Sequence, residues 1–290
     1  MLYIGTSGWH YDDWINEFYP NFLKNKKDKW LEYYANYFNT VEIDSTYYSF
    51  PSERTVSSWL GKLKKLQHHD RKFTFSLKIP KNITHEFLIN GSVDKAIEST
   101  SDFEQKVALK IKRNNSLAAI LIQLSPYFSY EKINLLEKYF SSIDSSNYDY
   151  AVEFRNKSWL GNNDGLKNEV VNLLSRYNIA SCITDGPAFP ILTNTTANHA
   201  YIRFHGRNHD LWFNKEKSPT DTRINKYDYF YSENELKPWA ENIKSINSSS
   251  LNTRIYFNNH PHAHAVKNAL SMMNLLDIST YAHTPQAKLI

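Results

Sequence analysis

YAVEFR, residues Tyr150 to Arg155, carries two different faces when its backbone is extended. Successive side chains of a strand point to opposite sides, so Val152 and Phe154 share one face while Ala151, Glu153 and Arg155 share the other. One face is apolar, and the other ends in an acid and a base. The turn residues Asn156 and Ser158 follow directly. This pattern suits a strand of a closed sheet, packed on helices outside and becoming polar inside at its carboxyl end.

The rest of the chain repeats the strand-then-helix order. Leu2–Gly5 reads as the first strand, and Trp30–Phe38 as a helix. A second strand is expected over Asn39–Tyr48, followed after Pro51 by a helix with Val56, Trp59, Leu60 and Leu63 as its apolar stripe. Strands are further expected at FTFSLKIP, AAILIQLSP, Ala180–Asp185, HAYIRFHGR and RIYFNN. Helices are expected over Ala96–Arg113, Glu131–Phe140, Leu166–Tyr177, Leu236–Ile246 and Ala263–Leu276. Roughly eight strand segments, nearly all followed by a helix, predict an α/β fold of the (β/α)8 TIM-barrel type. Between Asp185 and Ala197 stand mostly Pro, Thr and Asn, so the sixth helix is expected to be short or replaced by a loop. No linker or composition shift divides residues 1–290, which predicts a single domain.

With 290 residues, core size does not limit the fold. A net charge of +4 spread along the chain does not mark a dedicated nucleic-acid binder. The one cysteine, Cys182, lies in an apolar run, which speaks for packing and against disulfides or thiolate metal sites. No secretory segment opens the sequence, and no apolar run nears the roughly 18 residues of a membrane span, so a cytoplasmic protein without a membrane partner is expected.

Applying the parity of YAVEFR to the other strands collects one polar set. Glu42 and Asp44, Lys78, Gln123, Glu153 and Arg155, Asp185, Arg203 and His205, and Asn258 all come late in their strands. In such barrels the carboxyl ends of the strands carry the site, so these groups are expected at one mouth. Glu153, Asp185 and His205 are the catalytic candidates; Trp9, Glu42, Lys78, Gln123, Arg155, Arg203, Arg207, Asn258 and Asn259 are the substrate-binding ones. The opposite signs in the set also describe a buried ion network, because an unpaired interior charge would cost several kcal/mol. Lys78 is accordingly expected as an ion-pair member and not as a Schiff-base nucleophile.

His205, His260, His262 and His264, with Glu153 and Asp185, raise a metal reading, but HPHAH is not a tight ligand signature and nothing like HExxH occurs. No metal ligand is assigned, and no cofactor is named. A glycine-rich phosphate loop, a GxSxG elbow and a cysteine nucleophile are all lacking. Asn258 and Asn259 precede the last helix and are expected to cap it at an anion site between the last two units. The long aromatic loop Asn208–Ser232 is expected to act as a lid.

TSGWHYDDW, NTVEIDSTYY, Ile83–His85, IQLSP, YAVEFRNKSW, YIRFHGR and FNNHPHAHAVKNAL together resemble the YecE-like proteins, domain-of-unknown-function family 72. The resemblance implies a TIM barrel and brings no assigned reaction. Ser125 stands where the family pattern usually has proline, which loosens the turn after the fourth strand. From the residues, the leading expectation is an enzyme, a hydrolase or lyase, acting on a small or oligomeric anionic substrate, phosphorylated or otherwise, by carboxylate and histidine acid–base chemistry. A metal-dependent phosphodiesterase acting on nucleic acid is a less favoured alternative, with Trp9 and Trp212 stacking bases. A non-catalytic module binding a metabolite or partner is the third.

Overall fold

The computed structural model describes residues 1–67, 72–162, 165–213 and 225–280. Its strands are β1 (Leu2–Thr6), β2 (Thr40–Ile43), β3 (Thr74–Lys78), β4 (Leu117–Gln123), β5 (Tyr150–Glu153), β6 (Ala180–Ser181), β7 (Ile183–Asp185), β8 (His199–Phe204) and β9 (Asn252–Phe257). All pair in parallel, in two sheets of order β1-β9-β8-β7 and β2-β3-β4-β5-β6. Parallel neighbours need crossovers, and the helices supply most of them. They are α1 (Trp30–Tyr34), α2 (Ser45–Tyr48), α3 (Glu53–Gln67), α4 (Val93–Phe103), α5 (Leu109–Arg113), α6 (Ile133–Phe140), α7 (Asn168–Arg176), α8 (His209–Phe213), α9 (Glu233–Ser248) and α10 (His264–Leu275). No helix among the described residues is long and apolar enough to cross a membrane.

Two junctions relate the sheets. Ser7 bridges Glu42 in parallel, and the Gly8 amide donates to the Glu42 carbonyl at 2.8 Å, joining the end of β1 to β2. On the other side, the expected single strand 180–185 is interrupted at Cys182, whose amide donates to the Val152 carbonyl. Its first part pairs with β5 and its second with β8. The parity of YAVEFR reappears in the packing. Val152 and Phe154 enter the large core under the helices, whereas Ala151 joins Ala119, Leu121, Ala180, Cys182, Tyr201 and Tyr256 in a small separate cluster.

Several element bounds differ from the sequence-based expectation. The second strand stops at Ile43 and α2 takes over Ser45–Tyr48. There the buried Thr46 hydroxyl donates to the Lys78 carbonyl at 2.7 Å and accepts the Lys78 amide at 3.0 Å, so a side chain replaces the strand ladder. The helix expected from Ala96 starts at Val93 and passes through one wide turn, Glu104–Ala108, before α5. Residues 186–198 hold no helix, as the Pro-, Thr- and Asn-rich segment predicts. Of the loop expected as a lid, residues 214–224 lie outside the described residues.

Candidate functional site

Arg203 is the hub of the polar set. It is fully buried on β8, and its guanidinium spans two carboxylates: one terminal nitrogen meets Glu42 Oε1 at 2.8 Å, the other meets Glu153 Oε2. Glu42 also accepts from Ser7 Oγ at 2.5 Å and Tyr201 Oη at 2.7 Å, and Lys78 Nζ stands 3.2 Å away. Burial alone would raise the Glu42 pKa, but Arg203 and Lys78 outweigh it and bring it down to about 2. Glu153 behaves alike: burial opposes its charge, Arg155 and Arg203 stabilise it, and it titrates well below the usual carboxylate range. Both carboxylates are therefore anions committed to internal partners. Lys78 is an ion-pair member, with Ser7 Oγ at 3.4 Å as its further contact.

His205 Nε2 lies 3.6 Å from Glu153 Oε2, and its Nδ1 faces Asn258 Nδ2 at 3.0 Å. Arg203 Nη1 lies 3.4 Å from the same Nε2. Burial first, then Arg203, lowers the His205 pKa to about 4 against the pull of Glu153. His85 is lowered to about 4 as well, by burial, Arg155 and Lys81. These imidazoles stay neutral in the folded protein while an unfolded chain would protonate them below about pH 6.5. Their contribution to stability is complete above that pH and is lost as pH falls from 6.5 towards 4. Urea denaturation across this window should show stability falling with pH, and His205→Gln should flatten part of the slope. An unchanged slope would show that His205 does not titrate as described.

Asp185 is not part of this constellation. Ala180 and Cys182 belong to the inner cluster, so Thr184 shares their side and Asp185 points the other way, towards α9. Its carboxylate accepts from Trp239 Nε1 at 2.6 Å, Arg207 Nε at 2.8 Å and Nη2 at 2.6 Å, and Tyr231 Oη at 3.1 Å. Arg207 is thereby removed from the expected anion site too, and its remaining nitrogen reaches Glu235 at 3.3 Å. Asn258 and Asn259 do not cap the last helix, because a short turn at Pro261–Ala263 precedes α10. Asn259 is buried and donates to the Tyr229 carbonyl and to Asn268 Oδ1, each at 2.8 Å. Gln123 stays with the hub, its Oε1 3.5 Å from Arg203.

A cavity of about 510 Å³ opens over the strand ends, lined among others by Lys78, Gln123, Arg155, Asn258 and His260. Arg155 gives Nε to Glu153 Oε1 at 2.6 Å, and its terminal nitrogens have no hydrogen-bond partner among the described residues. Its side chain is 24% exposed, enough to present that end of the fork to a ligand. It also borders a smaller cavity of about 150 Å³ beside Glu153, His205 and Trp212. The sequence-based list omits Tyr47, Lys81, His85 and Tyr227, which line the large cavity from the loops and short helices beyond the strands. Tyr47 Oη lies 3.1 Å from His85 Nε2, and Thr84 Oγ1 lies 2.9 Å from Nδ1. Their signal in the sequence is the STYY and NITHE stretches just past the second and third strands.

No group of three or more His, Cys, Asp or Glu among the described residues could hold a metal ion. The histidines considered as ligands go elsewhere. His260 stacks on Tyr11 at 4.6 Å, while His262 and His264 lie 3.8 and 3.5 Å from Asp228.

Residues 3–289 match the family model described as protein of unknown function DUF72. The chain belongs to the DUF72 family. This DUF72 chain is 26% identical to the UPF0759 protein YunF of Bacillus subtilis, over 99% of its own length and 98% of that protein's. It is also 26% identical to the UPF0759 protein YecE of Escherichia coli K12, over 74% and 78% of the two chains. The solved structure of a DUF72 family protein from Thermotoga maritima superposes on the DUF72 chain with a TM-score of 0.79 at 32% identity, covering 96% of this chain and 99% of that one. One from Enterococcus faecalis, at 23% identity, shares the fold with a TM-score of 0.75 over 96% of each.

Proposed function

We propose that this DUF72 chain is a (β/α)8 barrel enzyme that binds a small anionic substrate, phosphorylated or otherwise, in the cavity at the carboxyl ends of its strands. The Ser7–Glu42 bridge, and the Cys182 amide that donates to the Val152 carbonyl between β6 and β7, support closure of the two sheets into one barrel. One observation carries the anion reading. Arg155 lines a cavity together with Lys78 and Lys81, and its two terminal nitrogens have no hydrogen-bond partner among the described residues, while the acids beneath, Glu42 and Glu153, are already occupied by Arg203. A planar guanidinium beside ammonium groups suits the oxygens of a phosphate or sulfate.

Proton transfer falls to the Tyr47–His85 pair and not to Glu153 or Asp185. Arg155 and Lys81 help to hold His85 neutral, so an anion between them would raise its basicity when substrate arrives. Titration with inorganic phosphate should raise the melting temperature saturably, and should shift the His85 resonances towards a higher pKa by NMR. Arg155→Met should weaken phosphate binding at least about tenfold, roughly 1.4 kcal/mol, and should also lower the apo melting temperature because buried Glu153 loses one of its two arginine partners, so the phosphate-induced rise is read against each variant's own apo value. Absence of saturable stabilisation by either phosphate or sulfate would sink the anionic-substrate reading.

A further inference from the structure

We infer that the substrate is an anionic saccharide, its charged group held by Arg155 and Lys78 and a sugar ring seated in an adjoining cleft against Trp9. This rests on the anion site proposed above and adds the chemistry of the rest of the molecule. A second cavity of about 520 Å³ lies beside the first, and Tyr11 and Asp44 line both. The two spaces together exceed what a lone phosphate needs, and the shared wall makes them parts of one site.

The second space differs in character from the first. Trp9 lines it half-buried, fixed by Trp59 edge-on at 6.4 Å and 82°. Tyr11 is held in turn by its hydroxyl on the Ser7 carbonyl at 2.8 Å and by stacking on His260. Around these rings stand Lys27, Asp28, Asp44 and Lys62. Among the described residues the Asp44 carboxylate accepts from Tyr11 alone, at 3.4 Å, and Asp28 has no hydrogen-bond or ion-pair partner.

That combination decides between ligand classes. A sugar ring offers an apolar C–H face to an indole, and hydroxyls around its rim that donate to carboxylates and accept from an ammonium. A nucleobase would stack on the indole equally well, but Asp28 and Asp44 beside Lys27 and Lys62 match the rim of a polyhydroxylated ring, which both donates and accepts, better than the all-acceptor phosphates of a nucleotide chain. The cationic cavity takes the charge, and the cleft with both signs takes the hydroxyls.

Binding of inorganic phosphate, glucose 6-phosphate, trehalose 6-phosphate and AMP, followed by calorimetry and tryptophan fluorescence, tests this. The sugar phosphates should bind at least about tenfold more tightly than phosphate and perturb the fluorescence. Trp9→Ala should abolish that gain while leaving phosphate affinity unchanged. Asp28→Asn, at an exposed position, should reduce the gain without endangering the fold. If the sugar phosphates bind no better than phosphate, or AMP alone shows the gain, the saccharide inference falls and the anion site stands. If phosphate itself does not bind, the underlying reading falls first.

Discussion

Arg203→Met is expected to destabilise the protein by about 3–5 kcal/mol, because it leaves Glu42 and Glu153 in the interior without the cation that spans them. Lys78 and Arg155 would remain beside them, but of the two acids Lys78 pairs with Glu42, and Arg155 is partly open to solvent. The loss should appear as a lower urea midpoint with the m-value retained. Arg203→Lys, which keeps the charge and loses the fork, should fall between the variant and the unmodified protein. As a reference, Arg176→Met removes a pair with Glu137 whose side chains are 60% and 45% exposed, and should cost less than about 1 kcal/mol. Equal costs at the two arginines would mean that the buried network does not hold the fold together.

The second large effect is expected at Asp185, and it separates architecture from chemistry. Asp185→Asn replaces an oxygen by an amide donor in a place where Trp239, Tyr231 and Arg207 all donate. Arg207 is 37% exposed and can turn to water, so most of the cost falls on the buried indole and phenol. A loss of about 3 kcal/mol is expected on these grounds, seen in the same denaturation experiment. Phosphate affinity should be unchanged, because Asp185 points away from the cavity. Loss of anion binding with full stability would return Asp185 to the site.

Much of this was legible in the primary structure. Alternation along YAVEFR correctly separated Val152 and Phe154 from Ala151 and Glu153, because a period of two is a property of the extended backbone itself. Extending that parity to β8 placed Arg203 and His205 beside Glu153, and the buried ion network followed from the cost of unpaired charge. The same rule was misapplied at Asp185. Counting from Ala180 and Cys182 makes Thr184 the inward residue, and the interruption at Cys182 left that count intact.

Local pattern determined the order of strands and helices, the absence of a helix after Asp185, and which strand residues share a face. Tertiary structure alone decided which charges are spent and which are free. Glu153, Asp185, Arg155 and Arg207 look equivalent along the chain as charged residues late in their segments or just past them. Their difference arises from partners contributed by distant elements: Arg203 for Glu153, Trp239 and Tyr231 for Asp185, and open cavity for the end of Arg155. Likewise Tyr47, Lys81 and His85 join the site because the turns after β2 and β3 fold over the strand ends. Periodicity constrains a residue's direction within its own element, whereas a charge's neutralisation depends on distances between elements far apart in sequence.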